Sequence, residues 1–111
     1  MIADDDDTAI AAVTVAELQV GASLAEGTQR VARQAFVDAV VSVVPILSYD
    51  LSVAVAHARL LVATRTAGRP RGAHDLIIAA TALAGGRTVV TADAAEFEDL
   101  PGVEVRHHSA T

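Results

Sequence analysis

The hydrophobic and polar positions of the chain form two alternating patterns, short apolar runs and longer stretches with helical periodicity. Short continuous apolar runs bounded by turn residues are typical of buried strands. Such runs predict four strands, at residues 9–13, 43–47, 87–91 and 103–106. Stretches with apolar residues three and four positions apart are typical of helices that bury one face. They predict helices at residues 14–27, 29–41, 50–67 and 75–84, and a short helical turn at 93–97.

Strands that alternate with helices predict an α/β fold, here a three-layer α/β/α domain with a mainly parallel sheet. The 111 residues suit a single domain that spans residues 1–111. Pro45 confines its strand to a sheet edge or a strand end, because proline donates no hydrogen bond to a neighbouring strand. The acidic run Asp4–Asp7 predicts a solvated turn ahead of the first strand.

Three acidic residues, Glu17, Asp75 and Asp93, each lie where a helix is predicted to begin. In an open α/β sheet, ligands bind at the edge where the parallel strands end. A ten-residue helix from Asp75 descends about 15 Å, and a five-residue strand returns about 16 Å. Asp93 is therefore expected to lie near Asp75. Three carboxylates at one edge favour a hard divalent cation, and the Thr91 hydroxyl is a candidate support for this site.

Each acid also has a purely structural interpretation as part of a helix cap. Thr14 and Glu17 match the S/T-x-x-E capping box, and Asp93 with Glu96 suggests a second one. Asp75 at a helix start is favoured by the helix dipole. Three like charges at one edge are costly unless a cation or a proton relieves them, so their convergence favours a metal site.

The composition excludes several classes of chemistry. The chain contains no cysteine, and all eight basic residues are arginine, which excludes thiolate nucleophiles, cysteine zinc sites, Schiff bases and P-loops. No apolar run reaches the roughly 20 residues that span a bilayer, and no signal peptide is recognisable, so no membrane association and a cytoplasmic location are expected. The net charge of −6 argues against broad binding of nucleic acid, although Arg65, Arg69 and Arg71 cluster just before Asp75.

Three stretches of the chain resemble the PIN domain family, specifically its VapC-type toxins. They are Ala12-Val-Thr-Val-Ala-Glu17-Leu-Gln-Val-Gly21, Gly68-Arg-Pro-Arg-Gly-Ala-His-Asp75-Leu-Ile-Ile-Ala-Ala80, and Thr88-Val-Val-Thr-Ala-Asp93 with Phe97 after it. Their order, spacing and local context match, and the resemblance covers essentially the whole chain.

The resemblance implies a metal-dependent endoribonuclease of a VapBC-type toxin–antitoxin pair. Glu17, Asp75 and Asp93 would hold Mg²⁺ or Mn²⁺, which activates a water for in-line attack on an RNA phosphodiester. The resemblance further implies that Thr91 is a supporting hydroxyl and that the arginine cluster contacts RNA phosphates. It also implies a homodimer and a VapB-like antitoxin that covers the active site.

The chain departs from the family pattern at its beginning. The family opens with a strand that ends in an aspartate, followed by a helix, and both are predicted to be missing here. Asp4–Asp7 precede the second strand of the family and are not assigned the missing role. Because the opening strand is central in the family's sheet, its loss predicts unpaired backbone groups on two strands. Two hypotheses follow, a start codon annotated too late or a degraded remnant with impaired cleavage.

Two other functions remain open on the sequence alone. A non-catalytic PIN remnant would bind the antitoxin without cutting RNA. A receiver-like phosphoacceptor domain would also use clustered acids, but that chemistry usually needs a lysine and this chain has none.

Overall fold

The structure is a computed structural model that describes residues 2–4 and 7–107. Five strands form one sheet, and they are β1 Ile2–Asp4, β2 Asp7–Ala11, β3 Ile46–Leu47, β4 Thr88–Thr91 and β5 Glu104–His107. Four α-helices surround it, and they are α1 Ala12–Leu24, α2 Gly27–Val43, α3 Leu51–Ala67 and α4 Ala73–Ala84. A 3₁₀ helix spans Ala94–Phe97. The predicted α/β class is confirmed, and the predicted helices and strands are found within a few residues of their expected bounds.

The sheet has the strand order β3-β2-β1-β4-β5. β2 pairs with β3 in parallel, and β4 pairs with β5 in parallel. β1 is antiparallel to both β2 and β4, so the other four strands all point in one direction. As the proline rule predicts, β3 lies at an edge, and the Pro45 carbonyl accepts a hydrogen bond from the Ile10 amide at 3.0 Å.

The central strand β1 corrects the prediction for the beginning of the chain. Ile2 lies opposite Ala9 on one side and Val89 on the other, so β2 and β4 share a partner and the expected unpaired edges do not arise. Ile2 and Ala3 are too short an apolar run for periodicity to identify. Asp4 and Asp7 belong to paired strands, and the rest of the predicted acidic turn lies outside the described residues.

The main hydrophobic core lies where the sheet meets α3 and α4. It is built largely from small aliphatic residues, because the chain has only 3% aromatic residues. Ile2, Leu60 and Val89 are its largest fully buried side chains. Ala79, Ala80 and Ala82 have no exposed surface, and these small side chains allow α4 to approach the sheet closely. This contact holds α4, and with it Asp75, against the centre of the sheet.

Ordinary capping chemistry sets both ends of α3. The Asp50 side chain caps the helix by accepting a hydrogen bond from the Val53 amide at 3.0 Å. Gly68 ends it in the left-handed conformation at φ +65°, where glycine carries no steric penalty.

Helices α1 and α2 form a hairpin that is joined by polar side chains. The amides of Gln19 and Gln34 donate to each other at 2.7 and 3.1 Å. Several apolar residues of this hairpin are exposed, among them Val20, Leu24, Val31 and Phe36. None of the described helices is both long enough and apolar enough to cross a lipid bilayer.

Candidate functional site

Glu17 lies on α1 and has no capping role. The helix begins at Ala12, directly after β2, and its N-cap residue Ala11 makes no side-chain hydrogen bond. Thr14 is therefore already inside the helix, and the predicted capping box with Glu17 is wrong. The Glu17 carboxylate is instead half exposed, with Oε2 at 3.5 Å from Nδ1 of His74.

Asp75 is the third residue of α4, whose N-cap is Gly72. No side chain caps this helix, so the Asp75 carboxylate is not used as a cap. Gly72 makes room for it, because a Cβ atom at position 72 would lie 3.1 Å from Asp75 Oδ2. The glycine thus leaves one side of the carboxylate open.

Asp93 follows β4 and precedes the 3₁₀ helix, which has no side-chain cap. The predicted second capping box with Glu96 is therefore not formed by side chains. The Thr91 hydroxyl accepts a hydrogen bond from the Asp93 amide at 3.0 Å. Thr91 therefore fixes the backbone turn that presents Asp93, rather than bonding to the carboxylate itself.

The three acids interact electrostatically across the edge of the sheet. Partial burial raises the pKa of the Asp75 carboxyl above its ordinary value, and the negative charges of Glu17 and Asp93 raise it further. His74 acts in the opposite direction. Asp75 therefore lies within electrostatic range of both Glu17 and Asp93. Like charges at this range favour a protonated carboxyl or a bound cation.

The donor chemistry of this cluster fits a hard divalent cation. Carboxylate oxygens are the ligands that Mg²⁺ and Mn²⁺ prefer. Across residues 2–4 and 7–107, no three His, Cys, Asp or Glu side chains are close enough to form a complete ligand set. Mg²⁺ commonly uses only one or two carboxylates and keeps several waters, so the open arrangement around Asp75 suits such an ion.

Two of the three candidate RNA-contacting arginines have partners inside the protein. Arg69 forms an exposed ion pair with Asp99, with NH1 at 3.1 Å from Oδ2. Arg71 donates to the Glu98 carbonyl at 2.9 Å and to the Arg69 carbonyl at 3.1 Å. Arg65 is exposed in the last turn of α3, and its side chain makes no ion pair within the described ranges. Of the three, Arg65 has the guanidinium most available to a ligand.

Three neighbours of the acids were not assigned to the site by the sequence. His74 contacts Glu17, and its position beside Asp75 was the only signal for it. Gly72 underlies Asp75, and a glycine at a helix N-cap is a weak hint of close approach. His107 ends β5 and pairs in register with Thr91, so it lies at the same edge as Asp93.

Comparison with known proteins gives a consistent result. The family model for the PIN domain matches residues 1–103. The chain is 31% identical over 96 residues to the tRNA(fMet)-specific endonuclease VapC of Salmonella typhimurium. The aligned region covers 86% of this chain and 71% of that protein.

Two solved structures extend the likeness to the fold. VapBC2 from Rickettsia felis, bound to a DNA fragment from its promoter, has a TM-score of 0.85 and 26% identity over 93% of this chain and 76% of its own. VapBC-5 from Mycobacterium tuberculosis, a member of the VapBC family of toxin–antitoxin systems, has a TM-score of 0.81 and 33% identity over 90% of this chain and 81% of its own.

Proposed function

The chain belongs to the PIN domain family, and from this membership we propose that it is the toxin of a VapBC-type toxin–antitoxin pair. The proposed activity is that of a divalent-metal-dependent endoribonuclease. The substrate is RNA, and the cleaved bond is a phosphodiester. Because RNA is the proposed substrate, the cytoplasm is the proposed compartment.

One observation carries this proposal, the electrostatic convergence of Glu17, Asp75 and Asp93. The pKa of Asp75 is raised by burial and by both of the other acids, and none of the three carboxylates caps a helix. The helix dipole favours Asp75 in the first turn of α4 but leaves the repulsion from Glu17 and Asp93 in place. A site that receives a divalent cation supplies the compensation.

The residues of the site have distinct roles in this mechanism. Asp75 and Asp93 are the proposed metal ligands, and Glu17 would be either a third ligand or a carboxylate just outside the ligand set. Mg²⁺ or Mn²⁺, when bound, activates water for in-line attack and neutralises charge on the phosphate. Thr91 holds the Asp93 turn, His74 restrains Glu17, and Arg65 is the first candidate for a phosphate contact.

An apolar groove between α1 and α2 supports an antitoxin partner. It is lined by residues from both helices, and these include Leu18, Gly21, Ala32, Phe36 and Val37. Phe36 is 59% exposed, which is a large aromatic surface to leave in water. Glu17 also lines this groove. An amphipathic antitoxin segment bound here would bury Phe36 and reach the acidic site, as a helix-in-groove complex does.

A separate apolar stripe on α3 supports the proposed homodimer. Leu51, Val55 and Val62 lie on one face of the helix, with exposures of 79%, 46% and 65%. Their spacing of four and seven residues is the spacing of a helix–helix seam. Two antiparallel copies of α3 would cover each other's stripe by twofold symmetry.

The direct test of the proposed function is cleavage of a single-stranded RNA by the purified chain with Mg²⁺, with Mn²⁺ and with EDTA. Cleavage is expected with either metal and is expected to cease with EDTA. If a VapB-like antitoxin binds the chain while no divalent-dependent cleavage occurs, the non-catalytic binding protein replaces the enzyme as the proposed function.

Replacing Gly72 with Ala is expected to weaken Mn²⁺ binding several-fold. The new methyl group would lie 3.1 Å from Asp75 Oδ2, so the carboxylate must move. The backbone at position 72, with φ −58° and ψ 140°, accepts alanine without strain. Calorimetric titration with Mn²⁺ measures the effect.

Gly86→Ala, between α4 and β4, is the matched control for this substitution. Its φ of +64° is unfavourable for alanine, while a Cβ atom there meets nothing within 4 Å. The control is expected to lose about 1 kcal/mol of stability and to keep its Mn²⁺ affinity. Equal Mn²⁺ affinities for Gly72→Ala and the unmodified protein would contradict the role of Gly72.

A further inference from the structure

Two surface loops that carry no acid of the site are tied together by arginines. The first loop, residues 68–72, leads from α3 into α4, and the second follows the 3₁₀ helix. Arg71 reaches across to the Glu98 carbonyl at 2.9 Å, and Arg69 reaches to Asp99 at 3.1 Å. Arg71 also donates to the Arg69 carbonyl at 3.1 Å, so the two arginines brace each other. These four residues, Arg69, Arg71, Glu98 and Asp99, are the arginine clamp.

The position of the arginine clamp relates it to the acidic site. Arg71 precedes Asp75 by four residues, and Glu98 follows Asp93 by five. The bond between Arg71 and Glu98 therefore joins the segment that presents Asp75 to the segment that presents Asp93. A change in this bond alters the spacing of the two carboxylates without touching either one.

Two further observations mark the clamp as a constrained element. Asp99 has a φ of +63° and is the only described non-glycine residue with a positive φ, a conformation that persists only where the surroundings enforce it. The Nε atom of Arg71 is buried and has no hydrogen-bond partner within residues 2–4 and 7–107. Burial of an unpaired polar atom is unfavourable, so other contacts must hold this guanidinium in place.

We propose that Arg71, braced by Arg69, is a positioning residue that sets the distance between Asp75 and Asp93. This inference rests on the proposed function, since the spacing matters only where the two acids share a cation. It reassigns Arg69 and Arg71, which the sequence grouped with the RNA-contacting residues. Some residues hold metal ligands in place without binding the metal themselves. Their removal commonly lowers the metal affinity about 10- to 100-fold.

Arg71→Lys is the first variant because it preserves the charge while changing the geometry. Lysine has a single ammonium group and cannot bridge two carbonyls in the planar way that arginine does. Arg30→Lys is the matched control, because Arg30 is exposed on α2 and lies outside both the clamp and the site. Three quantities are measured: Mn²⁺ affinity, backbone amide hydrogen exchange at Leu76 and Glu98 without metal, and the salt dependence of RNA binding in EDTA.

A positioning role predicts a distinct set of results for Arg71→Lys. Mn²⁺ affinity is expected to fall about tenfold, and the Leu76 and Glu98 amides are expected to exchange about tenfold faster as the two segments loosen. The slope of log RNA affinity against log salt is expected to remain unchanged. Arg30→Lys is expected to leave the Mn²⁺ affinity and both amides unaltered.

A direct phosphate contact predicts the opposite, because lysine also binds phosphate. If Arg71→Lys keeps the Mn²⁺ affinity and the amide exchange of the unmodified protein, the proposal is overturned. Arg71→Ala then separates the positioning role from the phosphate contact further. The loss of one phosphate contact lowers the magnitude of the slope of log RNA affinity against log salt by about 0.7 for single strands.

Arg69→Gln and Asp99→Asn keep the test open if Arg71→Lys does not fold. Each removes only the exposed ion pair of the clamp, which contributes little to stability. Both are expected to shift Mn²⁺ affinity and amide exchange in the same direction as Arg71→Lys, and by less. If neither variant changes the Mn²⁺ affinity or the amide exchange, the proposal is refuted. Amide exchange needs neither RNA nor metal. A protein that fails to cleave RNA therefore refutes the proposed function without deciding whether Arg71 is a positioning residue.

Discussion

Asp75→Asn is expected to reduce divalent-dependent RNA cleavage by at least about 100-fold. A bound divalent cation contributes several kcal/mol of transition-state stabilisation, and every 1.36 kcal/mol is a factor of ten in rate. Asparagine keeps the shape of the side chain but removes the negative charge that attracts the cation. Initial rates of RNA cleavage at saturating Mg²⁺ measure the loss.

The same substitution is expected to raise the stability of the metal-free protein at neutral pH. Burial and the charges of Glu17 and Asp93 raise the pKa of Asp75 in the folded protein, so protonation of Asp75 favours folding. This contribution is fully present below the ordinary value of 3.8 and is lost as the pH rises through the folded-state pKa. Urea unfolding should be measured from below pH 3.8 to neutral pH. The free energy of unfolding of the unmodified protein should fall relative to that of Asp75→Asn as the pH rises.

Divalent cations are expected to reverse that order. A ligand that binds only the folded protein stabilises it by about 2.7 kcal/mol at 100 times its Kd, so Mn²⁺ should stabilise the unmodified protein and leave Asp75→Asn nearly unchanged. Glu26→Gln is the matched control, since the Glu26 side chain is exposed and caps no helix. Cleavage that survives in Asp75→Asn and still requires a metal would exclude Asp75 as a ligand.

The expectation that Glu17 and Asp93 share an edge follows from strand direction, whereas Asp75 is presented by α4, which follows α3 rather than a strand. β2 leads into α1 and Glu17, and β4 leads into Asp93, and these two strands point the same way. Any pattern that identifies two parallel strands therefore brings their carboxyl ends to one edge. This expectation did not depend on β1, because an antiparallel strand between β2 and β4 changes their pairing but not their relative direction.

The failure of the two capping boxes and the presence of the arginine clamp were not predictable in the same way. Thr14 and Glu17 match a capping box by spacing, but β2 runs into α1 without a loop, and the helix begins two residues earlier. Arg71 and Glu98 are 27 residues apart in the sequence, and no local pattern relates them. Local propensity is a weak guide wherever tertiary contacts determine the ends of helices and loops.

Ile2→Ala is expected to destabilise the fold by about 2–5 kcal/mol, the range measured for truncation of a buried isoleucine. Ile2 is only 1% exposed and lies on the central strand, opposite Ala9 and Val89. Small domains are stable by about 5–15 kcal/mol in total, so this single residue accounts for a large share. Urea unfolding measures the change.

A graded series separates the loss of packing from general disturbance of the chain. Ile2→Val removes one methylene and is expected to cost only about 0.5–1.5 kcal/mol. Leu60→Ala, at another fully buried position, should match Ile2→Ala. Leu24→Ala, where the side chain is 79% exposed, should stay within about 0.5 kcal/mol. If Ile2→Ala loses as little stability as Leu24→Ala, β1 does not support the sheet. The strand pairing of β2 and β4 with β1 would then not be what holds Glu17 and Asp93 at one edge.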